Sequence, residues 1–156
     1  MNILPPIDGS ELSLHEVRFA IALAAEGLRS TFLVVNVQEP ASLYELVTAP
    51  DPQTRDNAAH AAGLHALEPA LDLLRAAGMT FEATVVTGDP AHAVVDLVER
   101  HAIDMVVIGS RGMGALATAL KGSVAQSVVH DSPVPVLLVK EPPEPPAADA
   151  DVEGEA

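Results

Sequence analysis

The sequence predicts an α/β protein, an open five-stranded parallel sheet with helices on both faces. Three observations carry this. Five apolar, β-type runs occur at residues 2–7, 31–37, 80–86, 104–108 and 134–139. Stretches with helical spacing separate them, so the order is β-α-β-α-β-α-β-α-β. Several runs are continuous rather than alternating, as in Phe32-Leu33-Val34-Val35 and Met105-Val106-Val107-Ile108. Continuous apolar runs suit strands covered on both faces.

The elements follow in order. After the first strand, Ser13-x-x-Glu16 forms a capping box before Val17, Phe19, Ala20, Ile21 and Ala24, or Ser10 serves as the cap. Gly27 is placed to end this helix. Residues 38–56, after the second strand, are polar and contain Pro40, Pro50 and Pro52. So long a connection predicts a mobile lid or partial disorder. Leu64, Leu67, Leu71 and Leu74 keep a 3-4-3 spacing through the second helix, and Pro69 predicts a kink or break in it. Asp89-Pro90 supplies an N-cap and first-turn pair for a third helix carrying Val94, Leu97 and Val98. Leu120, Val124 and Val128 mark a fourth, stopped before Pro133.

The 156 residues suit one domain, predicted over residues 1–140, followed by a disordered tail over 141–156. That tail holds 6 acids, 4 prolines and no base. The chain has no cysteine, which excludes disulfides, thiolate metal sites and cysteine catalysis. The start of the sequence shows no signal-peptide pattern and no apolar run reaches membrane-spanning length, so a cytoplasmic protein is expected. The formal charge is −14, from 8 basic and 22 acidic residues. Such a surface repels nucleic acid and acidic membranes. It repels a nucleotide too, unless a local site offsets the field.

Open α/β sheets bind ligands beyond the carboxyl ends of their strands, where the strand order switches. The richest segment in such a place follows the fourth strand: Gly109-Ser110-Arg111-Gly112-Met113-Gly114, with Gly122-Ser123 further on. Glycines let the backbone turn and approach a ligand closely. Clustered N–H groups at a turn and a helix start bind anions. Arg111 and Lys121 are 2 of the 8 basic residues and lie in this segment. Asp8, after the first strand, can accept hydrogen bonds from an adenine or a ribose. Each residue also has a plainer reading. Gly112 and Gly114 form a tight turn, Gly122 is an interior helix glycine, Asp8 caps the first helix, and Arg111 is a solvated surface residue.

Gly109-x-x-Gly112, nine residues, then Gly122-Ser123 resembles the G-2x-G-9x-G-(S/T) signature of ATP-binding universal stress proteins. The opening Asn2-Ile3-Leu4-Pro5-Pro6-Ile7-Asp8-Gly9-Ser10 is similar to that family's first strand and the Asp-Gly-Ser that ends it. Thr87-Gly88-Asp89-Pro90 resembles its G-x-P turn, and residues 132–139 resemble its final strand. The resemblance covers residues 2–140. It implies a Rossmann-like fold, akin to the adenine nucleotide alpha hydrolases, with strand order 3-2-1-4-5. It implies that Asp8, with Pro6 and Ile7, contacts the adenosine and that Val37 lies against the adenine. Gly109, Ser110, Arg111 and Gly112 would wrap the ribose and phosphates. Gly122, Ser123 and Val124 would hold the phosphates. The implied ligand is ATP, or ADP or AMP, with Mg2+ or Mn2+ held mainly by the phosphates. The implied assembly is a homodimer through residues 134–139, and the implied role is a nucleotide-dependent regulator in stress response. The family's basic residue before the first strand is missing, and Gly114 adds a glycine to the loop.

Other readings compete. Gly112-Met113-Gly114-Ala115-Leu116-Ala117 fits a dinucleotide fingerprint, G-x-G-x-x-A. It starts three residues too late after Ile108, and only one strand follows, which leaves no second mononucleotide half. Slow ATP hydrolysis needs a positioned base or a water-orienting group. No such constellation is visible, and the six histidines are scattered. A chaperone-like interaction module without nucleotide is the third reading.

Overall fold

The computed structural model describes residues 1–49, 51–110 and 123–143. Its elements are β1 (Asn2–Leu4), α1 (Glu11–Ala25), β2 (Thr31–Gln38), α2 (Leu43–Thr48), α3 (Pro52–Ala76), β3 (Thr80–Thr87), α4 (Pro90–Arg100), β4 (Met105–Gly109), α5 (Ser123–Asp131) and β5 (Val136–Val139). The strands form one parallel sheet in the order β3-β2-β1-β4-β5, as the sequence led us to expect.

Two cores explain the continuous apolar runs. Ile3, Phe32, Val34 and Val107 face α1 and α3, against Leu14, Val17, Leu67 and Leu74. Their chain neighbours Leu4, Leu33, Val35, Val106 and Ile108 face α4 and α5, against Val94, Leu97, Val98 and Val128. Successive side chains point to opposite faces, so burial of both faces requires an apolar residue at nearly every position.

Four local expectations need correction. First, Ser10 is the N-cap of α1, and its side chain accepts the Ser13 N–H at 3.2 Å. Ser13 instead sits inside the helix, where its hydroxyl donates to the Ser10 carbonyl. The Ser13–Glu16 capping box is therefore absent, and Glu16 is turned inward. Asp8 is not the cap either. It accepts the Ser10 N–H at 2.8 Å and tightens the turn ahead of the helix. Second, α3 runs unbroken through Pro69, which lies on its exposed side. The helix is held by Leu67, Ala70, Leu71 and Leu74 on its buried side. Third, Leu64 is 43% exposed and Gly63 takes the buried place. A Cβ at residue 63 would lie 2.4 Å from Val85 Cγ1, so glycine lets α3 press onto the sheet. Fourth, the expectation of partial disorder over 38–56 gives way to helix. The segment contains α2, closed by a Ser42–Glu45 capping box, and the first turn of α3, capped by Asp51; Pro50 lies outside the described residues.

The first and last strands are shorter than predicted because prolines flank them. Pro5 and Pro6 lack the N–H that a ladder needs. Pairing resumes past them, where the Ile7 N–H donates to the Val35 carbonyl at 2.7 Å. The part of the tail from residue 144 lies outside the described residues.

Candidate functional site

The connections from β1 fix the site. The chain leaves β1 through α1 toward β2, on one side, while β4 lies on the other. The carboxyl ends of β1 and β4 thus flank the switch point, where the helices on the two faces diverge. Pro6 and Ile7 are buried there, Ile7 completely, and Asp8 is half-buried. One Asp8 oxygen, Oδ1, is committed to the Ser10 N–H. Among the described residues Oδ2 has no hydrogen-bond partner, so it remains an acceptor. Gly109 ends β4, and the Ser110 N–H donates to the Val139 carbonyl. Asp8 and Gly109 are brought to the same buried group, the Glu16 carboxyl.

The side chains of Glu16 and Leu12 fill the space beside the Gly109 backbone. A Cβ there would lie 2.5 Å from Glu16 Oε1 and 2.8 Å from two carbon atoms of Leu12. The backbone at the end of β4 is therefore packed against side chains of α1. Gly9 has φ +85, and a Cβ there would meet Ala66 Cβ at 3.4 Å. Both strand ends close down on the helices that cover this face.

The other expected site residues divide into two groups. Val37 is 7% exposed and packs with the α4 and α5 core, toward the end of the neighbouring strand β2. Val124 is half-buried in the first turn of α5, on the same side. Ser123 is the first residue of α5. Arg111, Gly112 and Gly122 lie outside the described residues.

Two residues of the site escaped the sequence reading. Glu16 is 4% exposed. Burial, opposed by the Gly109 backbone N–H and reinforced by the Asp8 charge, pushes its pKa up to about 8. Its Oε2 has no hydrogen-bond partner among the described residues. Asn36 is 3% exposed, donates to the Ile7 carbonyl at 2.8 Å and accepts from Gln38 at 2.7 Å. It ties β2 to the turn that carries Asp8. The signal for Glu16 was available. Ser13, Glu16, Val17 and Ala20 share one helical face, so a residue assigned to a cap also belonged to the buried stripe. Asn36 stood in the continuous run of β2, where a polar residue needs a buried partner.

This arrangement can accept hydrogen bonds at Asp8 Oδ2. Among the described residues, no three His, Cys, Asp or Glu side chains are grouped to hold a metal ion. No helix among them is long and apolar enough to cross a membrane.

Comparison with known proteins gives the lineage. The family profile described as "Universal stress protein family" matches residues 1–140. The chain belongs to the universal stress protein family. One relative, universal stress protein YxiE of Bacillus subtilis, is 30% identical over 146 residues, spanning 89% of this chain and 98% of the relative. Among solved structures, MJ0577 of Methanocaldococcus jannaschii superposes with a TM-score of 0.73 at 24% identity, covering 91% of this chain and 96% of that one. A universal stress protein in complex with cAMP superposes with a TM-score of 0.68 at 27% identity, covering 89% and 96%. The fold of these stress proteins is thus the fold described above.

Proposed function

We propose that this universal stress protein binds an adenine nucleotide, ATP or its relatives ADP and AMP, at the switch point between β1 and β4, and serves as a nucleotide-dependent regulator. One observation carries the proposal: Asp8, with an acceptor oxygen to spare, and Gly109 stand at the carboxyl ends of the adjacent strands β1 and β4. The adenine N6 amine or a ribose hydroxyl can donate to the carboxylate. The Gly109-x-x-Gly112 and Gly122-Ser123 spacing continues the site toward the phosphates. The cAMP bound by a structural relative is a ligand of the same chemical class.

In this reading Pro6, Ile7 and Val37 shape the apolar wall, and Gly109, Ser110, Arg111 and Gly112 follow the ribose and phosphates. Gly122, Ser123 and Val124 then receive the phosphates at the start of α5. Mg2+ or Mn2+ would be held mainly by the phosphates, because among the described residues no three His, Cys, Asp or Glu side chains are grouped to hold an ion. The assembly proposed is a homodimer through the edge strand β5, and the compartment is the cytoplasm.

The test is direct. The purified protein is denatured, its supernatant assayed for adenine nucleotide, and ATP and AMP are titrated against wild type and Gly122→Val. The expected result is saturable binding by wild type, weakened at least ten-fold in the variant by a side chain at the anion site. Absence of binding to wild type would remove the proposal. Turnover of the bound ATP would move it toward the ATPase reading.

A further inference from the structure

Glu16 is an unusual tenant for its place. It is a carboxyl on the buried stripe of α1, 4% exposed, with Ser13, Leu14, Val17 and Ala20 as buried helix neighbours. Its Oε1 lies against the Gly109 backbone, 2.5 Å from where a Cβ on that residue would stand. Its Oε2 is buried and has no partner among the described residues. A buried polar atom without a partner costs about 1–3 kcal/mol, so a fold retains one where it has a use. Glu16 stands where the Asp8 turn and the end of β4 meet.

We propose, building on the nucleotide reading above, that Glu16 is a further affinity determinant of this site: its neutral carboxyl offers an O–H to an acceptor atom of the bound adenine nucleotide, and binding fails when that proton is lost. A neutral acid is the one form of a glutamate that both donates a hydrogen bond and tolerates an anionic ligand. An ionised carboxylate beside Asp8 would repel the phosphates and accept where a donor is needed. The surroundings favour the neutral form, because burial, together with the Asp8 charge, keeps the proton on up to about pH 8.

Few other charges reach this group. Asp8 faces it from the β1–α1 turn. The strands β4 and β5, packed on α1, carry no titratable side chain, and Lys140 beyond β5 is exposed. On α3 the histidines, acids and Arg75 are exposed, and Arg55 is half-buried. On α1 itself His15 is half-buried, while Glu11 and Arg18 are exposed. Arg111 and Lys121 lie outside the described residues.

The test is calorimetric titration of AMP into wild type, Glu16→Gln and Glu16→Met at pH 7 and pH 9. Glutamine keeps a neutral donor at every pH; methionine keeps the shape without one. Wild type should bind about ten-fold more weakly at pH 9 than at pH 7, from one proton linked to binding. Glu16→Gln should change far less between the two. Glu16→Met should bind about five-fold more weakly than Glu16→Gln at both, the worth of one hydrogen bond. Parallel loss in wild type and Glu16→Gln, or equal affinity of the two variants, would overturn the proposal and leave the nucleotide site standing. No binding by wild type at either pH would instead overturn the nucleotide reading. If a variant does not fold, the Gly109 amide shift of wild type is followed against pH. A midpoint near 8 that AMP moves upward supports the proposal, and a midpoint unmoved by AMP overturns it.

Discussion

At the scale of single residues, Glu16 ties the stability of the molecule to the chemistry of its site. Its folded pKa is about 8, against 4.5 for an unhindered glutamate. The folded state therefore holds this proton where the unfolded chain has released it. The stability that Glu16 contributes is fully present below pH 4.5, falls as pH rises through the window from 4.5 to 8, and is lost above it. Inside the window the slope from this one group is about 1.4 kcal/mol per pH unit. Glu16→Gln abolishes that slope while keeping the volume. The difference in unfolding free energy between variant and wild type should therefore grow by a few kcal/mol from pH 5 to pH 8 in the variant's favour. Urea denaturation at the two values checks it, and parallel pH profiles for the two proteins would contradict it. The places of Asp8 and Gly109 at the ends of the adjacent strands β1 and β4 were legible in the sequence because each follows an apolar run. Glu16 was not, because Ser13-x-x-Glu16 matches a capping box letter for letter. The competition between Ser10 and Ser13 was decided by the Asp8 turn, which places Ser10 at the helix start.

Among the elements, the strands and four of the helices were readable, since each interior strand must be apolar on both faces. What the pattern hid were the exceptions that depend on close approach. Leu64 kept the spacing of α3, yet Gly63 faces the sheet, because only a residue without Cβ fits against Val85 and Asn36. Pro69 survives in mid-helix because it sits on the solvent side, where the carbonyl it frees meets water. α2 was missed because its apolar residues have no buried partner: Leu43, Tyr44 and Val47 are each more than three-quarters exposed. The edge strand β5 carries the assembly prediction. Leu138 is 46% exposed on an edge whose backbone has no further strand beside it in the sheet. A lysine on a strand edge opposes pairing. Leu138→Lys should sediment as a monomer while wild type sediments as a dimer, with the same far-ultraviolet circular dichroism. Equal sedimentation of the two would remove β5 from the interface.

For the whole molecule, charge and topology set opposite demands. The chain carries −14, so an anionic ligand approaches against the overall field. The proposed site needs a local attraction to offset that field. In the sequence Arg111 and Lys121 come after β4, and the Asp8 turn comes after β1. The opposite end of the sheet has a cleft too, lined by Asn2, Thr31, Phe32, Glu82 and His101. The two ends give the account its sharpest discrimination. In a titration of AMP followed by amide chemical shifts, the largest changes should fall at Asp8, Gly9, Gly109 and Ser110, with Thr31, Glu82 and His101 unmoved. Shifts confined to the cleft residues, or no saturable shifts at all, would contradict an adenine nucleotide site at the β1–β4 switch point.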